Sequence, residues 1–232
     1  MPRMNEFGQP IGDPVARPLP AGAPERVTLR GRTCDLVPLV PSAHADGLFA
    51  AFGAAPDGRD WTYMSVGPFA SASEYREWAE AATRGQDPLH FAVFDRVSGA
   101  PLGTLALLRQ DPAHAVVEVG FVAFSPAMQR SVCSTEAHFL LMRYVFEELG
   151  YRRYEWKCDA LNAPSQRAAE RLGFVFEGTF RQATVYKGRS RDTSWFSIID
   201  SEWPAARAEF ERWLDPQNFD AEGAQLSPLR VR

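Results

Sequence analysis

The stretch Val116-Val117-Glu118-Val119-Gly120-Phe121-Val122-Ala123-Phe124, with the turn Gln129-Arg130-Ser131-Val132-Cys133-Ser134 that follows Ser125-Pro126, decides how this chain folds. Its opening run is apolar and of strand length. Strict alternation puts Val117, Val119, Phe121 and Ala123 on one face and Glu118, Gly120 and Val122 on the other. From Thr135 onward, Phe139, Met142, Val145, Phe146 and Leu149 recur at helical spacing and Gly150 closes the pattern, which predicts an amphipathic helix. Tyr154, Trp156 and Cys158 then alternate with Glu155, Lys157 and Asp159 on a second strand. Asn162 is a good cap for a second helix, Pro164 is tolerated in its first turn, and Gly173-Phe174 ends it. Strand, turn, helix, strand, helix gives a parallel strand pair. A strand that turns tightly into a helix aims unpaired N–H groups and the positive end of the helix dipole at one point, so the turn is an anion site. Gly120 inside the strand predicts a bulge or a close approach of ligand to backbone.

Working outward, His90–Phe94 and Leu102–Leu108 are two strands joined as a hairpin across Ser98-Gly99. With the strand at Val116 they form an antiparallel meander, which argues against a dinucleotide fold. Upstream, Val27 to Leu39 is extended around a turn at Gly31-Arg32, and Ser42 begins a short helix carrying Leu48, Phe49 and Phe52. Trp61-Thr62-Tyr63-Met64, after the turn Asp57-Gly58-Arg59-Asp60, either lines a small-molecule pocket or plugs the end of a core. Ser73 and Glu74 start a helix that buries Tyr75, Trp78 and Ala82. Residues 1–26 carry Pro2, Pro10, Pro14, Pro18, Pro20 and Pro24 and read as an arm. Downstream, Lys187-Gly188-Arg189-Ser190-Arg191 is a basic turn, Thr193 to Ile199 is a last strand, and a helix with Phe210, Trp213 and Leu214 on one face follows Pro204. That helix packs on its own sheet or on a dimer partner, and the polar tail beyond Asp215 is expected to fray. The domains expected are the arm (1–26), one α/β domain (27–201), and a C-terminal helix and tail (202–232) packed on the domain or a partner.

Composition sets limits on partners. With 232 residues and 45% hydrophobic content the chain suits one domain with appendages. A formal charge of -4, from 25 Lys+Arg against 29 Asp+Glu, provides no general field for nucleic acid or an anionic membrane. There is no apolar run of roughly 18 residues and no charged-then-apolar start. Cys34, Cys133 and Cys158 are an odd set at unrelated spacings, which argues for a reducing compartment, so a cytoplasmic location is expected. His44, His90, His114 and His138 lack ligand spacing, and no metal is expected. Cys133 and His138 fall on different faces of a helix start, which disfavours a thiol nucleophile with a histidine base.

The run Gln129-Arg130-Ser131-Val132-Cys133-Ser134-Thr135-Glu136-Ala137 resembles the acetyl-CoA loop of the GNAT acyltransferase superfamily, whose usual form is Q/R-x-x-G-x-G/A. Asn162-Ala163-Pro164-Ser165, running on to Ala169-Glu170-Arg171-Leu172-Gly173-Phe174 and Glu177-Gly178, is similar to the second signature of the branch that includes the ribosomal-protein N-terminal acetyltransferases. The resemblance extends from Val27 to Ser201. It implies a GNAT-like α/β fold, with a mixed, mostly antiparallel central sheet, one parallel strand pair and flanking helices. It also implies acetyl-CoA as cosubstrate, held by Val122, Ala123 and Phe124, by Arg130, Ser131, Val132, Cys133, Ser134 and Thr135, and by Asn162 and Ser165. The activity implied is transfer of an acetyl or short acyl group to a primary amine, of a protein N-terminus or a small molecule, by direct attack.

Val132 and Ser134 stand where the family has glycine, and glycine or alanine. A β-branched residue fits a positive-φ position poorly, so either the loop is shifted or CoA binds weakly. The alternative reading is therefore a degenerate CoA-binding or interaction domain without turnover. If the reaction runs, the amine must be neutral, although an α-amine titrates at about 8 and a lysine at about 10.4. A base is then helpful. Glu118 is the candidate, against a plainer reading as a solvated residue or an arginine's partner. The acidic residue used in related enzymes falls here on Thr184, which leaves Asp159 and Glu155 as alternatives. Ser165 matches the family serine that protonates the leaving thiolate and is equally an ordinary helix-start residue. An N–H near Phe121 or Val122 would meet the oxyanion. The basic turn reads as a solvated hairpin, or as a contact for an acidic acceptor or the CoA 3′-phosphate.

Overall fold

The computed structural model describes residues 2–15 and 18–232; Met1, Ala16 and Arg17 of the arm lie outside the described residues. In chain order the elements are β1 (Arg3–Met4), β2 (Pro10–Ile11), β3 (Leu29–Arg30), β4 (Cys34–Pro38), α1 (Pro41–Gly53), α2 (Ala72–Ala82), β5 (Leu89–Asp95), β6 (Pro101–Asp111), β7 (Val116–Phe124), α3 (Val132–Arg143, continuing as a π-turn through Tyr144–Glu148), β8 (Arg153–Asp159), α4 (Ala163–Arg171), β9 (Val175–Tyr186), β10 (Arg189–Ile199) and α5 (Trp203–Leu214). β1 and β2 form a small exposed ribbon. The other strands make one eight-stranded sheet in the order β3-β4-β5-β6-β7-β8-β10-β9. Every neighbouring pair is antiparallel except β7 and β8. This is the mixed α/β sheet that the order of elements predicts.

Alternation along β7 breaks at one place. Its register against β6 steps from Ala106↔Gly120 to Thr104↔Ala123, so Phe121 and Val122 together oppose Leu105. Phe121 has φ 48°. The bulge therefore sits one residue beyond Gly120, and it reverses the faces. Val117 and Val119 point into the core under α3, but Phe121 crosses to pack on His90 and Trp78, with ring centroids 5.1 and 6.4 Å away. Val122 and Phe124 take the α3 side instead.

The sheet carries a core on each face. One joins Leu36, Phe91, Leu105, Val117, Tyr154 and Phe196 to Leu141 of α3 and Phe210 of α5. The smaller one sets Leu39 and Ala92 against Leu48 of α1 and Tyr75 and Ala79 of α2. Burial of each large apolar side chain is worth about 1.5–3 kcal/mol, so the two clusters fix which faces the helices cover. Helix α5 lies on α3 of its own chain, with Phe139 to Phe210 at 5.6 Å and Phe146 to Trp203 at 5.1 Å between ring centroids.

The tail does not fray. Asn218 is buried; its amide donates to Trp213 O and Ser227 O, while its Oδ1 accepts from the Ser227 N–H and hydroxyl. Leu229 is buried in the larger core, and Arg232 Nε donates to Gly173 O. Gly173 has φ 91°, and a Cβ there would overlap Val231. At the other end of the chain, Ala21 and Gly22 donate to Pro112 O and Leu149 O, so this part of the arm lies against the domain.

Candidate active site

Strands β7 and β8 pair only from Val116↔Arg153 to Val119↔Trp156. Past the bulge they part, and among the described residues no ladder bond joins Gly120–Phe124 to Lys157–Asp159. Each of these segments keeps its outer neighbour and offers an inner edge of N–H and C=O groups unpaired within the sheet, of which Phe124 O accepts from Gln129 Nε2 at 3.0 Å. A groove of about 1830 Å³ opens there. It is larger than the roughly 300–1,000 Å³ of an ordinary small-ligand site, which leaves room for two substrates.

The first turn of α3 closes one side of the groove. The helix begins at Val132, not Thr135, because Ser131 caps it: Ser131 Oγ accepts from Ser134 N at 3.3 Å, and Ser134 Oγ donates to Ser131 O at 2.7 Å. The left-handed backbone falls on Arg130, with φ 59°, and Val132 sits inside the helix. The conflict expected between a β-branched side chain and a positive φ does not arise. Arg130, Ser131, Val132, Ser134 and Thr135 line the groove. The Cys133 side chain does not; it is buried beside Cys34, whose Sγ donates to Cys133 O at 3.6 Å. His138, unlike Cys133, lines the groove, between Phe124 and Trp156 at 5.6 and 5.2 Å, and burial pushes its pKa down to about 4.

Helix α4 closes the opposite side. Asn162 Oδ1 accepts from Ser165 N at 3.2 Å, as a cap does. Ser165 Oγ accepts from Trp156 Nε1 at 3.0 Å, which leaves the hydroxyl proton for another acceptor. Both residues line the groove, as does Arg171, which sequence reasoning missed as a site residue. Arg171 NH1 donates to Thr135 Oγ1 at 3.0 Å, its guanidinium lies 5.2 Å from the Trp213 ring, and burial lowers its pKa. The signal was present: positions 165, 168 and 171 share one face of a helix.

Three carboxylates were candidates for the base, and the structure separates them. Glu118 is buried, and its Oε2 accepts from Arg109 NH1 at 2.9 Å and Lys157 Nζ at 2.8 Å. It is thus the arginine's partner of the plainer reading, yet it also lines the groove, and a Cβ on Gly120 would stand 3.7 Å from its Oε1. Asp159 lines the groove with both oxygens engaged, accepting from Tyr186 OH at 2.7 Å and Leu161 N at 2.8 Å. Burial and that bond raise the Tyr186 pKa. Glu155 pairs with Lys157 and Arg153 and is not among the groove residues. Thr184 is exposed on the groove wall.

The loop from Arg59 to Ser65 roofs the groove. Gln129 Nε2 donates to Asp60 Oδ2 at 3.0 Å, Lys187 Nζ to Trp61 O at 2.7 Å, Arg189 NH2 to Thr62 O at 2.6 Å, and Tyr63 OH to Leu161 O at 3.1 Å. The basic turn is therefore a clamp on this loop. Trp61 also packs edge-on against Phe52 and Phe69 at 5.5 and 5.4 Å, so the aromatic segment both plugs the smaller core and covers the groove. At the far end Phe219, Gly223, Ala224 and Gln225 of the tail complete the wall. Their polar, aperiodic sequence carries no signal of that role.

Comparisons with known proteins agree with this geometry. The family model described as "Acetyltransferase (GNAT) domain" matches residues 35–175. A GCN5-related N-acetyltransferase from Brucella melitensis, known as a crystal structure, is 47% identical, with 93% of this chain and 97% of that chain covered and a TM-score of 0.90. The N-acetyltransferase YnaD of Bacillus subtilis (strain 168) is 26% identical over 120 residues, 52% of this chain and 69% of its own. RimL, a ribosomal L7/L12 alpha-N-protein acetyltransferase solved with coenzyme A, shares the fold at 18% identity, TM-score 0.61, over 75% of this chain and 99% of that chain.

Proposed function

Because this chain belongs to the GNAT acetyltransferase family, we propose that its groove takes acetyl-CoA and that the protein moves the acetyl group to a primary amine by direct attack. The observation that carries the reading is the parting of β7 from β8 beside the N-terminus of α3. Two free strand edges suit an extended amide-bearing chain, and a helix start suits a pyrophosphate. In this reading the edge at Val122, Ala123 and Phe124 holds the pantetheine amides. Arg130, Ser131, Val132, Ser134 and Thr135 hold the phosphates, with Cys133 contributing only its backbone N–H. Asn162 and Ser165 line the α4 side. Acetyl-CoA supplies a thioester, an acyl group already activated toward amines.

Glu118 is the proposed base, its Oε1 free of the two ion pairs held by Oε2. The acceptor nitrogen forms the new C–N bond and gives a proton to Glu118; the C–S bond breaks, and Ser165 donates its hydroxyl proton to the departing sulfur. The protons then re-equilibrate through solvent. An N–H near Phe121 or Val122 receives the developing oxyanion, a contribution of a few kcal/mol where such donors are pre-aligned. A protein N-terminus, titrating at about 8, is easier to present as a neutral amine than a lysine. Small amines meet the same requirement.

Calorimetric titration with acetyl-CoA and with CoA tests the reading. Micromolar binding that is weakened by Ser134→Glu is expected. No binding up to millimolar ligand would overturn it and favour a GNAT-shaped interaction domain.

A further inference from the structure

The β10 wall of the groove has donors without acceptors. Lys187 and Arg189 are taken up by the roof carbonyls at Trp61 and Thr62. Arg191, next on the same strand, lines the groove with its guanidinium 5.9 Å from the Tyr186 ring centroid. Among the described residues no carboxylate pairs with it, and its Nε is buried without a partner. Thr193 and Trp195 follow at strand spacing and also line the groove; Thr193 Oγ1 and Trp195 Nε1 are buried and unpartnered. Thr193 is only 5% exposed.

Native interiors pair their buried polar atoms, so three such donors on one strand face mark a shortage of lone pairs at this wall. The neighbouring carboxylates do not supply them. Glu118 Oε2 is committed to Arg109 and Lys157, and both oxygens of Asp159 to Tyr186 and Leu161. A bound ligand can supply the missing acceptor, and a guanidinium selects a planar carboxylate.

We propose that the acceptor bears a carboxylate close to its primary amine and that Arg191 receives it. The inference rests on the acetyltransferase reading and names the class of acceptor for that site. Two sources share the chemistry: the main-chain carboxylate of a free amino acid, and an acidic side chain beside a peptide N-terminus.

The test is calorimetric binding of matched pairs to the CoA-loaded, full-length protein: amino acids against their amides, and short peptides with Asp in the second position against the same peptides with Asn. The carboxylate member is expected to bind about 10- to 100-fold tighter, the worth of a charge-assisted hydrogen bond. Arg191→Gln is expected to erase the difference while CoA affinity stays unchanged, and Arg191→Lys to restore part of it. Whichever pair shows the larger difference identifies the source. Equal binding within every pair, or a preference that survives Arg191→Gln, overturns the inference and leaves the acetyltransferase reading standing. Failure to bind CoA would sink both.

Discussion

Glu118 combines two roles at the scale of a single residue. Its Oε2 fixes Lys157, a buried ammonium held also by Glu155 and by the Trp195 ring 3.7 Å away. Its Oε1 is the proposed proton acceptor. Glu118→Gln keeps the shape and removes the base, so kcat is expected to fall about 10²- to 10⁴-fold with the acetyl-CoA Kd unmoved; an unchanged kcat would eliminate Glu118 from the chemistry. The buried imidazoles make a separate prediction. Burial pushes His90 and His138 down from 6.5 to about 4. Between those values the unfolded chain takes up protons that the folded chain refuses, so stability falls as pH drops through the window. The loss reaches about 3 kcal/mol per ring near pH 4. Urea melts of His90→Phe and His138→Phe are expected to show a shallower decline from pH 6.5 to 4 than the wild type. Parallel profiles would mean that the rings charge at no cost to the fold.

At the scale of elements, the parallel strand pair, the hairpin at Ser98-Gly99 and the helices after Arg130 and Asn162 are legible in the sequence, because each is written in local periodicity and caps. What was illegible is set by partners distant in sequence. The bulge at Phe121 depends on how β6 meets β7, so strict alternation assigned Phe121 to the wrong face. The start of α3 depends on whether Ser131 or a later residue turns its oxygen back, and a misplaced start made Val132 look strained. Cys133 reads as a ligand residue by motif alone, yet the helical turn aims it at Cys34 in β4. Glu136 gave no signal at all. One turn into α3, its carboxylate accepts from Arg32 N at 2.7 Å, Thr33 N at 2.6 Å and Cys34 N at 3.2 Å, tying the β3–β4 turn to the helix beside the groove. Glu136→Ala would leave those donors unpaired in a partly buried turn and is expected to cost about 2–4 kcal/mol. Denaturant midpoints check this, and a loss under 0.5 kcal/mol, the range of ordinary surface changes, would contradict it.

At the scale of the whole molecule, the segment after α5 matters more than its polarity suggests. It buries Leu229, covers the Gly173 turn that ends α4, and adds Phe219 and Gln225 to the groove. A chain ending at Asp215 is expected to lose about 2–4 kcal/mol of stability, to be cleaved faster between α4 and β9 by a trace protease, and to bind acetyl-CoA more weakly. Retention of full affinity would show that the tail's part of the wall touches no ligand.

The parting of β7 and β8 also has a mechanical consequence. The sheet is two plates, β3 through β7 and β8 with β10 and β9, riveted by the four residue pairs from Val116↔Arg153 to Val119↔Trp156. A ligand lying along both free edges acts as the absent rungs between the plates. If acetyl-CoA lies along both edges, the amides from Gly120 to Phe124 are expected to slow their exchange with solvent on loading, which hydrogen–deuterium exchange checks.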